Sequence, residues 1–245
     1  MPKVRATAQE VRALYAERVN FFGHAHVARR VDADPRWVLG SMLPDFASMC
    51  RARMASVDDR HVEAGVAFHH TTDDVFHGCR VFVELQNEGV EALEAAGVGR
   101  GPARATAHVG LELLLDGLLL DDSATCASYL EAVSLPGDWG VRLRRGEERF
   151  ARLRERVVEH GLPEDYRYPD RVADRLQRIL APRPRLAFSP GDEAPVRRWL
   201  EATRPTLSRR LDELLGELSR GLSGVDTAAR PRAILPGRSR EELGI

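Results

Sequence analysis

Between Ala103 and Leu120 the chain reads as a helix so apolar that it must be mostly buried in a larger core. Its apolar run from Leu111 to Leu120 is the longest in the sequence, yet it falls far short of the roughly 20 residues that span a bilayer. No membrane span is expected. Glu112 and Asp116 interrupt that run, and a buried carboxylate without a counter-charge is costly, so a metal ion or a cationic partner is expected beside them. For Asp116 a salt bridge to an arginine of a neighbouring helix is the alternative.

The remaining pattern is also helical. Val11, Leu14, Tyr15, Val19 and Phe22 recur at helical spacing between Thr7 and Val31, with a possible break at Gly23. Asp34 before Pro35 is an N-cap followed by a first-turn proline, and Pro44 makes Leu39 to Phe46 a turn between helices. Asp58 or Asp59 caps a helix that runs through Val62, Phe68, Phe76 and Leu85 towards Gly89, and Gly97 to Pro102 is a loop. Later helices are expected over Ser128 to Val133, Val141 to His160, Tyr168 to Leu180 and Glu193 to Leu222. No stretch alternates long enough, or is β-branched enough, to make a sheet. The expected fold is all-α: a single multi-helix bundle domain over residues 20–222, preceded by a helical extension (1–19) and followed by an Arg-, Pro- and Gly-rich tail (223–245).

With 36 basic and 37 acidic residues the chain is almost neutral, which argues against a nucleic-acid binder. Cys50, Cys79 and Cys126 are far apart and form no C-x-x-C pair, so they read as buried thiols of a reducing compartment. The N-terminus is charged and amphipathic, unlike a secretory signal. These features place the protein in the cytoplasm.

Of the eight histidines, all but His160 precede residue 110. His69, Asp73 and His77 are four apart, so they stand one above another on a single helical face. His108, Glu112 and Asp116 repeat the spacing on the apolar helix. Imidazole and carboxylate together suit zinc, manganese or iron, and helical bundles commonly present such ligands inward. His24 and His26, and Asp45 after Pro44, offer further donors, although the histidine pair could instead cap a helix end. Asp74 pairs with His70 or caps local backbone, and His61 and His160 read as structural.

The order of these segments resembles the acyl carrier protein phosphodiesterase family, grouped with HD-type metal phosphohydrolases. Asn20-Phe21-Phe22-Gly23-His24-Ala25-His26-Val27-Ala28 is similar to that family's N-F-L-A-H-L-H-L-A start. Gly40-Ser41-Met42-Leu43-Pro44-Asp45-Phe46 resembles its G-N-L-L-x-D-F turn, and Gly65-Val66 with His69 and Asp73 resembles G-I-x-x-H-R-x-I-D. Arg183-Pro184-Arg185-Leu186 is similar to a later R-P-R-L element. The departures fall at the site: His70 stands for an arginine, His77 for an aspartate, and His108, Glu112 and Leu113 for a D-x-x-x-D-H-F-L helix.

The resemblance implies an HD-like helical fold, a divalent ion, typically manganese, and hydrolysis of the phosphodiester joining 4′-phosphopantetheine to acyl carrier protein. One or two ions of manganese, iron or zinc are expected on His24, Asp45, His69, Asp73, His77, His108 and Glu112. Asp73 is expected to be catalytic as well, and His70 or His26 to protonate the leaving oxygen. Loss of the motif arginine weakens a bidentate phosphate contact, which leaves a nucleotide, phospholipid headgroup or other small phosphoester as alternative substrates. A non-catalytic helical protein that binds metal or a carrier protein is the alternative of another class.

Overall fold

The computed structural model describes residues 20–223; the N-terminal extension and the tail lie outside the described residues. Ten helices and one two-stranded sheet make up the described residues, so the all-α expectation holds. The helices are α1 (Phe21–Val31), α2 (Pro35–Met49), α3 (Arg60–Phe76), α4 (Arg80–Ala95) and α5 (Arg100–Leu119). They continue as α6 (Ser123–Val133), α7 (Glu147–His160), α8 (Pro169–Leu180), α9 (Glu193–Arg209) and α10 (Leu211–Leu222).

Helix α5 is the axis of the fold. Every residue from Ala105 to Leu119 is buried, and α1, α4, α8 and α9 pack around it. Close approach depends on glycine: a Cβ on Gly110 would meet the Trp199 ring at 2.9 Å, and one on Gly117 the Tyr166 carbonyl at 2.0 Å. On the other side of α1, α2 and α3 touch backbone to backbone. A Cβ on Gly40 would lie 2.2 Å from the Val62 carbonyl oxygen and 2.9 Å from Gly65 Cα.

Capping residues set the starts of these helices. Asp34 accepts the Arg36 N–H at 2.8 Å with Pro35 in the first turn, Asp59 accepts those of His61 and Val62, and Asp122 those of Ala124 and Thr125.

Several boundaries differ from the sequence reading. Leu39 to Phe46 is not a turn: α2 runs through it with Pro44 inside. Pro44 has no N–H to donate and costs about 3 kcal/mol in a helix interior, but burying Leu39, Met42, Leu43 and Phe46 completely outweighs that at roughly 1.5–3 kcal/mol each. Gly23 does not break α1. The helix expected up to Gly89 is two, α3 and α4, separated by the turn at His77, Gly78 and Cys79. The segment expected from Glu193 to Leu222 likewise divides at Arg210.

A sheet exists where none was expected. Strands β1 (Arg53–Val57) and β2 (Val141–Arg145) pair antiparallel, Arg53 opposite Arg145 and Val57 opposite Val141. Each strand is only five residues long, so the Val-Arg-Leu-Arg alternation of β2 is too short to stand out, and the partners are too distant in sequence for a hairpin pattern. No helix among the described residues is long and apolar enough to cross a membrane. Cys50, Cys79 and Cys126 are free thiols.

Candidate metal centre

Two groups of donors converge where α1, α3 and α5 meet. His24 from α1 joins His69 and Asp73 from α3, with one ligand atom of each within 4.8 Å of the others. His77, at the end of α3, joins His108 and Glu112 from α5 on the same criterion. Ligand bonds of about 2.0–2.2 Å put donor atoms roughly 3–4.4 Å apart, so both groups are close to the span of a coordination sphere and could hold an ion. The stripe expected on one helix face is therefore shared between two groups: the C-terminal turn carries His77 across to α5.

The groups touch. Asp73 Oδ1 lies 3.4 Å from His77 Nδ1, and Asp45, from α2, places Oδ2 3.8 Å from His24 Nε2. All seven residues expected as ligands are thus gathered in one region. His24, Asp45, His69, Asp73 and Glu112 are at most 4% exposed.

The imidazoles are oriented by backbone. His69 Nδ1 donates to the Ser41 carbonyl at 2.8 Å, which leaves the lone pair on Nε2. His77 Nδ1 donates to the Asp73 carbonyl at 2.8 Å, and its Nε2 faces Glu112 Oε1 at 3.1 Å. His108 Nε2 faces the same oxygen at 3.3 Å, while the His77 and His108 rings stack at 4.9 Å between centroids. Two imidazole nitrogens thus meet one buried carboxylate oxygen, a donor set that could hold a metal ion. Burial opposes ionisation of Glu112, but His108 and His77 overcome it and hold its carboxyl well below the usual range.

Asp116 has another task. Its Oδ1 accepts the Gly23 N–H at 2.7 Å and its Oδ2 the Phe22 N–H at 3.2 Å, so it satisfies the first turn of α1. Neither a metal nor an arginine is needed to explain it. Burial, with Asp45 and Glu112 nearby, pushes its carboxyl well above the ordinary value.

The two histidines expected to move protons lie apart. Residues two apart on a helix point about 200° from one another, so His26 faces away from His24. Its Nδ1 is 2.9 Å from Thr125 Oγ1 and 3.3 Å from Asp122 Oδ2, at the start of α6. His26 thus links α1 to α6, on the side of α1 away from His24. His70, one residue past His69, is turned about 100° to the surface, where its ring meets that of His69 edge-on at 5.2 Å. It lines a groove of about 570 Å³ between α2, β1 and α3, together with Pro44, Met54 and Val66.

Sequence reasoning missed the Ser41 carbonyl and the Asp122–Thr125 pair. A backbone carbonyl leaves no residue-type signal, and the pair reads as an ordinary helix cap. Comparison with protein-family models, curated proteins and solved structures gives no match.

Proposed function

We propose that this chain is a divalent-metal-dependent phosphoric ester hydrolase. The observation that carries the reading is the convergence of four histidines and three carboxylates from four helices in an interior where an ionised carboxylate alone costs several kcal/mol. A divalent cation held by His24, His69 and Asp73, with Asp45 beside them, offsets that cost, and His77, His108 and Glu112 have the donor set for a second. Bound there, the ion would activate water near neutral pH and neutralise charge on phosphate oxygens.

The chain's own groups do the rest. Ser41 and Asp73 carbonyls fix the ring tautomers of His69 and His77. An ester bound in the groove beside Pro44 and His70 would lie one residue from His69, and His70 would hold a proton for its leaving oxygen. The motif order makes the phosphopantetheine ester of acyl carrier protein the first substrate to assay, ahead of nucleotides and phospholipid headgroups. The test is phosphodiester turnover with added manganese, iron or zinc, compared with Asp73→Ala. Turnover abolished by the substitution, with helical content retained, supports the reading. Metal uptake without turnover on any phosphoester replaces it with a metal-binding role.

A further inference from the structure

A second cleft, of about 480 Å³, opens between α7, α8 and the 3-10 turn Glu164–Arg167. Its charge is one-sided. On α8, Arg171, Arg175 and Arg178 recur at i, i+4 and i+7, so they share one face; on α7, Arg156 and His160 are four apart and line the opposite wall. Glu164 and Asp165 are the acids of the lining, and Glu164 is engaged by Arg167 at 2.6 Å.

The arginines are weakly committed elsewhere. Among the described residues Arg156 and Arg178 have no ion pair, Arg156 Nε makes only a 3.4 Å bond to the Arg152 carbonyl, and Arg171 reaches Asp174 at 3.8 Å. Arg175 lies beside the Tyr166 phenol, and its buried Nε has no hydrogen-bond partner. Beneath them lies a buried aromatic layer. Phe21 stacks on Tyr129 at 5.9 Å and lies 6.3 Å from Tyr166.

We propose that this cleft is a binding site for a small phosphorylated molecule, with phosphate held between the arginines of α7 and α8 and an apolar or aromatic part resting on the half-exposed Val157, Leu162 and Pro163. The planar guanidinium fork matches phosphate oxygens bidentately, and two facing helices supply such forks from both sides. The volume suits a small molecule, within the roughly 300–1,000 Å³ of ligand pockets. The site is separate from the metal cluster, and the inference stands without it.

The test uses benzylphosphonate, which resists hydrolysis, with methylphosphonate and benzyl alcohol as partial probes, titrated by calorimetry into the full chain. Binding of benzylphosphonate should be saturable and tighter than that of either fragment. It should weaken at least tenfold in Arg156→Ala/Arg178→Ala, two exposed positions, with the melting temperature expected to stay unchanged. In Asp73→Asn it should be unaffected. No saturable binding overturns the proposal. So does binding that survives the arginine changes but is lost in Asp73→Asn, which would move the phosphonate to the metal cluster.

Discussion

Replacing Gly40 by alanine tests whether the contact between α2 and α3 positions the cluster. The added Cβ would sit 2.2 Å from the Val62 carbonyl oxygen and 2.9 Å from Gly65 Cα. An ordinary carbon contact needs about 3.5 Å, so the helices must part by roughly 1 Å, and backbone cannot swing aside as a side chain does. Overpacking of this kind costs about 1–3 kcal/mol, and the backbone obstacle puts Gly40 at the upper end. For a domain of this size each kcal/mol lowers the melting temperature by roughly 2–4 °C, so a fall of about 6–12 °C is expected by circular dichroism. The same displacement lengthens the bond from His69 Nδ1 to the Ser41 carbonyl, now 2.8 Å, and losing such an orienting bond typically costs about 10–100-fold in metal affinity. The sign is decisive. Where a helix has room, glycine to alanine gains roughly 0.5–1 kcal/mol, so a melting temperature equal to or above wild type would refute the packing argument.

Further outcomes follow from the same geometry. Burial, with Arg30 and Arg29, lowers the pKa of His26 from 6.5 to about 4 despite Asp122, so in that window the unfolded chain binds the extra proton and stability falls as pH falls. By about pH 5 the loss is about 2 kcal/mol; His26→Gln should remove this slope, and parallel melting-temperature profiles for both proteins would contradict it. Glu112→Gln keeps the shape but removes the charge that His77 and His108 share, so metal bound per chain should drop while His24, His69 and Asp73 retain theirs; unchanged stoichiometry and affinity would count against the second group. Leu114, wholly buried on α5, should cost about 2–5 kcal/mol as alanine in a denaturant titration, and a loss under about 1 kcal/mol would mean that α5 is not the axis of the core.

The sequence carried the helical class and the cluster because both rest on local periodicity. His69 and Asp73 share a face by spacing alone, and the carboxylates inside the apolar run of α5 announce a buried charge. Pairing across elements was less legible. That His77 leaves α3 for Glu112 depends on where the helix ends, at Phe76, and apolar residues on both sides disguised that end. Pro44 misled in the opposite direction, since local propensity says break while the buried leucines, Met42 and Phe46 hold the helix. His26 was read by adjacency to His24, whereas helix geometry sends it to the other side. The β1–β2 pair joins short segments far apart in the chain, and only the folded topology brings them together.

The central claim is that the buried histidines and carboxylates hold divalent metal. Elemental analysis of the purified protein, beside a His69→Ala/Asp73→Ala variant of unchanged helical content, tests it most directly. The account predicts one to two equivalents of manganese, iron or zinc in the wild-type chain and a loss of at least one equivalent in the variant. Wild-type protein that carries no metal, and takes up none when these ions are supplied, would contradict it.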